Sequence, residues 1–158
     1  YWEKKEIAPL FKNSGKSLRG RNVLVSISAG GKGDITKTHV NWKKRKALPY
    51  VASPLLYQDR LYYVKKGGYL TAIHPISGEP FFESEKIGVS GEYYASPIGV
   101  DGQILVASKE GIITLFKASD KFEIIKKIDM EESILSSPAI VDDNLYLRTS
   151  NHLWAFSD

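Results

Sequence analysis

The sequence contains no cysteine. That excludes a disulfide framework, a thiol nucleophile and any cysteine-based metal site. It has no uncharged run approaching the roughly 18 residues that a membrane-spanning helix requires, and no segment with a long helical period. Charge of one sign is also in short supply: 22 Lys+Arg against 18 Asp+Glu leave a net +4. This mild excess favours anionic partners but falls far short of the dense basic face of a nucleic-acid binder, so nucleic acid is not the expected partner. Finally, no basic stretch followed by an apolar one is present and the chain starts at Tyr1. We therefore read no signal peptide in it, and expect a processed chain or an excised piece.

What the sequence does have is repetition. Ala-Ser-Pro occurs at 52–54 and 95–97, and Ser-Ser-Pro at 136–138. The similarity continues past the prolines. Leu61-Tyr-Tyr-Val aligns with Ile104-Leu-Val-Ala and Leu145-Tyr-Leu-Arg, and Gly68-Tyr-Leu-Thr-Ala-Ile with Gly111-Ile-Ile-Thr-Leu-Phe and, after one deletion, Asn151-His-Leu-Trp-Ala-Phe.

Each copy reads as short strands separated by turns: Gln58-Asp59, Asp101-Gly102 and Asp142-Asp143 come first, then Lys66-Gly67-Gly68, Glu110-Gly111 and Ser150-Asn151. The second runs, such as Leu61 to Val64, are apolar at consecutive positions, which predicts strands covered on both faces. Small antiparallel sheets of about 40–45 residues, stacked radially so that each covers its neighbour, are the blades of a β-propeller. The fold expected is therefore all-β, with blades at about 52–87, 95–128 and 136–158 and a weaker one at 8–46. In that weaker blade Ala8-Pro-Leu-Phe is the first strand, Asn22 to Ser28 the second, and the stretch from Thr38 the outer one.

Trp2, Trp42, Phe82 and Phe122 recur at intervals of 40. We assign them to outer strands, as large rings wedged between neighbouring blades. The last copy stops after its third strand, and an uncovered edge calls for a cover. Tyr1-Trp-Glu-Lys-Lys resembles Asn41-Trp-Lys-Lys-Arg, so residues 1–5 either close a four-bladed ring or end a preceding blade.

The stretch Ala72-Ile-His-Pro-Ile-Ser-Gly-Glu-Pro-Phe-Phe resembles the repeat signature of the pyrroloquinoline-quinone (PQQ)-like propeller family, Ala-x-Asp-x-x-Thr-Gly-x-x-x-Trp. Ala72 and Gly78 match, with Glu79 following; Ser77 and Phe82 stand in the Thr and Trp places, and His74 replaces the Asp. The resemblance covers about residues 20–158. It implies the C-terminal portion of a seven- or eight-bladed propeller, in the periplasm or outside the cell, with either missing blades or a protein partner beside it. It also implies two roles. The first is a non-enzymatic binding or scaffold module of an exported bacterial protein; the alternative is part of a quinoprotein-type oxidoreductase whose catalytic residues lie elsewhere. PQQ and calcium enter by resemblance only, and the adjacent cysteines of those enzymes are missing here. We therefore expect no cofactor in this chain.

Candidate chemistry is sparse. Ser14-Gly-Lys-Ser17 lacks the first glycine of a phosphate-binding loop, since position 10 is Leu10. Gly31, Lys32 and Gly33 sit in a glycine-rich basic stretch that could cradle an anion. His39, His74 and His152 lack the short spacing of a zinc pair, and the aspartates read as turn residues. No catalytic residue and no metal ligand is assigned. The basic clusters Lys43-Lys-Arg-Lys46, Lys65-Lys66 and Lys126-Lys127 read as edge protection before they read as an anion-attracting rim. Arg148 takes the repeat place of Val64 and Ala107, so a buried guanidinium is expected there, facing a carboxylate, backbone carbonyls or an anionic ligand.

Overall fold

The computed structural model describes residues 22–157. Residues 1–5 with Trp2, and Ala8-Pro-Leu-Phe, lie outside the described residues. Two strands, β1 (Leu24–Ile27) and β2 (Val40–Lys44), form the first sheet. Blade I is β3 (Leu55–Tyr57), β4 (Arg60–Lys65), β5 (Tyr69–Ile73) and β6 (Pro80–Lys86). Blade II is β7 (Ile98–Val100), β8 (Gln103–Ala107), β9 (Ile112–Lys117) and β10 (Ile124–Asp129). Blade III contains β11 (Ala139–Val141), β12 (Asn144–Arg148) and β13 (Leu153–Phe156). All neighbours are antiparallel and follow chain order, as in β-propeller blades.

The first turn of each blade has two residues, beginning with a left-handed one: Gln58 (φ 47°), Asp101 (φ 47°) and Asp142 (φ 50°). Such turns match the twist of the strands they join, which is why Asp and Gly recur there. The Ser-Pro motif has a different task. The Ser53 N–H donates to Ser96 Oγ at 2.9 Å, and the Ser96 N–H to Ser137 Oγ at 2.8 Å. The repeated serines thus form a ladder from blade to blade.

Alternation along the second strands explains their continuous apolar character. Tyr62 and Val64 of β4, with Leu70 and Ala72 of β5, meet Ile104, Val106 and Phe116 of blade II in one core. The intervening β8 residues, Leu105 and Ala107, turn the other way and join Ile113, Ile134 and Leu147 in a second core. Each blade is therefore buried by the next.

Two expectations change. β1 pairs directly with β2, Ser26 facing Trp42 as Ala72 faces Phe82. Asn22–Ser28 thus takes the third-strand place, not the second. Arg148 is exposed, not buried. Its repeat assignment is sound, since it pairs with Leu153 as Val64 pairs with Leu70 and Ala107 with Ile113. On β12, however, Leu145 and Leu147 face blade II, leaving Tyr146 and Arg148 on a side that no described residue covers.

Candidate binding groove

The strands run between two ends of the blade stack. At the end formed by the β4–β5 turn and the linkers between blades, a groove of about 680 Å³ opens. The linker from β2 to β3 supplies Arg45, Lys46 and Tyr50, the β4–β5 turn supplies Lys65 and Lys66, and the linker from β6 to β7 supplies Glu92 and Tyr94. Lys66 is ion-paired with Glu92, and this contact raises the Lys66 pKa. Among the described residues Arg45, Lys46 and Lys65 form no ion pair. Tyr50 is 71% exposed and Tyr94 half-buried.

The walls are tied by backbone bonds. The Gly67 N–H donates to Gly91 O and the Lys109 N–H to Glu92 O, both at 2.8 Å. Ala47 holds a left-handed φ of 51° in the first linker, a costly conformation for a residue with a Cβ and one that shapes the groove wall. Three cations that pair with no described residue, beside two tyrosine rings, suit an anionic ligand carrying apolar or planar groups. The lining contains no histidine, serine or threonine.

The sequence suggested three basic clusters separately; the fold brings parts of two of them, at 43–46 and 65–66, to one groove, and Lys126-Lys127 does not line it. Tyr50, Tyr94 and Glu92 had no signal in the sequence, because their roles depend on the pairing of two linkers.

The corresponding parts of blade III form a smaller cleft of about 260 Å³, where Arg148 lies among Ser133, Ser136, Thr149 and Ser150. Beside it Glu132, also missed in the sequence, ties the linker to the β12–β13 turn. Its carboxylate accepts hydrogen bonds from the Thr149 hydroxyl and from the Asn151 N–H at 3.1 Å, and meets His152 Nδ1 at 2.6 Å. The Thr149 bond above all holds the Glu132 pKa at about 2, with Asn151 and His152 adding to it against the opposing effect of lost hydration.

The remaining assigned residues lie elsewhere. Gly31 is closed in by Ile35 and His39 within the β1–β2 connection, and Lys32 and Gly33 are exposed there; none lines the groove or the Arg148 cleft. Trp42 donates from Nε1 to Pro75 O at 2.9 Å. Its indole lies over Gly78, where a Cβ would come within 2.8 Å of the ring. The signature glycine is thus the platform for a neighbouring sheet's tryptophan. In the place of the signature Asp, His74 Nδ1 accepts the N–H groups of Ile76 at 3.3 Å and Ser77 at 3.2 Å. Phe82 is buried and lies 5.7 Å from Phe122. Phe122 precedes β10 instead of belonging to it, and its ring joins Phe82 and Phe116 between blades I and II.

No family model and no curated protein matches the chain. Solved structures do. BamB from Moraxella catarrhalis is 20% identical, over 75% of this chain and 36% of that one, with a TM-score of 0.60. The quinohemoprotein alcohol dehydrogenase ADHIIG from Pseudomonas putida HK5 is 11% identical, over 68% of this chain and 19% of that one, at 0.54. The computationally designed Ika4 protein is 11% identical, over 86% of this chain and 85% of that one, at 0.60. The chain therefore spans about a third of BamB and a fifth of the dehydrogenase. At these identities the likeness is one of fold: the chain is built of β-propeller blades, and a PQQ-like propeller fold fits it.

Proposed function

We propose that the chain, as one propeller domain or part of one, is a non-enzymatic PQQ-like module that serves as a binding and scaffold surface of an exported bacterial protein. The groove of Arg45, Lys46, Lys65, Tyr50 and Tyr94 carries this reading, because it offers cations that pair with no described residue beside two tyrosine rings. The partner is an acidic protein segment. Trp42, Phe82 and Phe122, with Trp2 outside the described residues, serve the docking of blades, and Arg148 is a second anion contact at the same end.

The test is fluorescence anisotropy with a labelled peptide of alternating glutamate and tyrosine. Saturable binding that weakens with salt is expected, with a loss of about tenfold or more in Lys46→Glu/Lys65→Glu, since each reversed contact is worth roughly 1 kcal/mol. Equal binding by that variant would remove the groove from the reading.

The fold likeness to a quinohemoprotein dehydrogenase supports a second reading, part of a quinoprotein-type oxidoreductase. The residues fit its cofactor poorly: among the described residues no three His, Asp or Glu gather around one point for calcium, and the chain has no cysteine. Saturable uptake in an absorbance titration with PQQ and calcium would favour this reading over the first.

A further inference from the structure

A slot of about 400 Å³ separates blade II from blade III, running from the β7–β8 and β11–β12 turns to Met130 beside the β8–β9 turn. Ile98, Leu105, Ile113, Leu115, Ile128 and Met130 are among its walls, and the exposed Asp101, Asp142 and Asp143 line it at the β7–β8 and β11–β12 turns. At junction I–II the side chains in the same places, Tyr62 and Phe116, are fully buried, and the repeat shows why.

Tyr57, three residues past its Ser-Pro proline, corresponds to Val100. Tyr62, paired with Leu55, corresponds to Leu105, paired with Ile98. At the first junction Tyr62 packs against Phe82 and Phe116, and the Tyr57 hydroxyl accepts the Gly102 N–H at 3.0 Å. Two rings of blade I are therefore aliphatic side chains in blade II.

A charge is missing as well. Arg60 of blade I donates to Asp120 of blade II at 2.6 Å and lies over the Phe81 ring at 5.2 Å. Its repeat counterpart is Gln103, which is uncharged and lines the slot. Among the described residues Asp101, Asp142 and Asp143 form no ion pair. The second junction thus lacks both the apolar bulk and the cation that complete the first.

We propose that this slot binds a small amphiphilic cation, an aliphatic or aromatic amine whose apolar body takes the place of the missing rings and whose ammonium takes the place of Arg60. Burial of the chain between aliphatic walls supplies affinity, and the three carboxylates select the sign of the head group. The site is separate from the basic groove and does not depend on it.

The test is calorimetric titration of the full chain with octylamine, octanol and octanoate. Octylamine is expected to bind at one site per chain, with octanol about tenfold weaker because it cannot form charge-assisted bonds at the β7–β8 and β11–β12 turns, and octanoate weaker still. Asp142→Asn/Asp143→Asn should bring octylamine down toward octanol. Val100→Tyr/Leu105→Tyr, which restores the blade I rings, should abolish binding of all three. Octanoate binding as well as octylamine would overturn the proposal, and so would no binding by any of them. A mass by light scattering showing that a second copy fills the slot would overturn it too. The comparison of the three ligands on the unaltered chain stands even if the double tyrosine variant does not fold.

Discussion

The junctions between blades I and II and between blades II and III share one backbone register and differ in side-chain volume. At the first, Tyr62, Phe82, Phe116 and Phe122 form a continuous aromatic cluster, closed at its edge by Arg60 and Asp120. At the second, the corresponding surfaces are largely aliphatic and a slot remains. Phe156 pairs with Leu145 as Phe116 pairs with Ile104, yet Phe156 is 40% exposed and Phe116 is fully buried. A repeat therefore specifies where a blade lies without specifying how tightly its face is closed.

The largest difference should come from those two phenylalanines. Phe116→Ala is expected to cost about 3–5 kcal/mol, because it opens a cavity where the ring is fully buried. Phe156→Ala should cost about 1 kcal/mol. Equilibrium urea denaturation of both measures the contrast, and equal losses would mean that the second junction is as well packed as the first.

Gly99 comes next. A Cβ there would lie 2.5 Å from Tyr57 Cδ2, so this glycine lets the ring of blade I lie against β7. Gly99→Ala should cost about 1–3 kcal/mol through overpacking. In a Tyr57→Ala background the same substitution should be close to neutral, which a double-mutant cycle would read.

The second junction has its own weak point in acid. Glu132 titrates at about 2 in the folded chain, below the ordinary carboxylate value of 4.5. Its contribution is fully present above the ordinary value and is lost as pH falls from there toward 2. A melting temperature followed across that window should fall more steeply for the wild type than for Glu132→Gln. Parallel curves would mean that the Thr149 and His152 contacts do not stabilise the fold.

The smallest expected effect is a gain. The Tyr62 hydroxyl is buried and has no hydrogen-bond partner among the described residues. Tyr62→Phe should therefore raise stability by about 1 kcal/mol at the aromatic junction. A loss in the same denaturation experiment would reveal a bound water that the hydroxyl needs.

Much of the fold was legible because its signals are local. The Asp-containing two-residue turns, the Ser-Pro starts and the doubly apolar second strands each express a backbone or burial preference within a few residues. Arg148 misled because burial is a property of the neighbouring blade: its repeat place was correct, but its face of β12 has no described cover. Asn22–Ser28 misled because a third strand and a second strand carry the same apolar pattern, and only the pairing of Ser26 with Trp42 separates them. The interval of 40 placed Phe82 and Phe122 in equivalent strands, yet the two rings meet at one junction.

The candidate groove was half legible. Arg45, Lys46, Lys65 and Lys66 stood out as basic runs, and edge protection was the simpler explanation for each. Their convergence beside Tyr50 and Tyr94 depends on two linkers separated in the chain by the whole of blade I.

By itself, then, the sequence determined that this protein is built of antiparallel blades, where their strands and turns fall, and that each must be covered by a neighbour. Those properties rest on short-range backbone preferences and on alternation along single strands. Only the tertiary structure decided which junction is filled by rings and which is left with a slot, which cations share a groove, and on which side Arg148 emerges. Volume and charge complementarity are sums over residues from two blades, and no single repeat contains both halves of the sum.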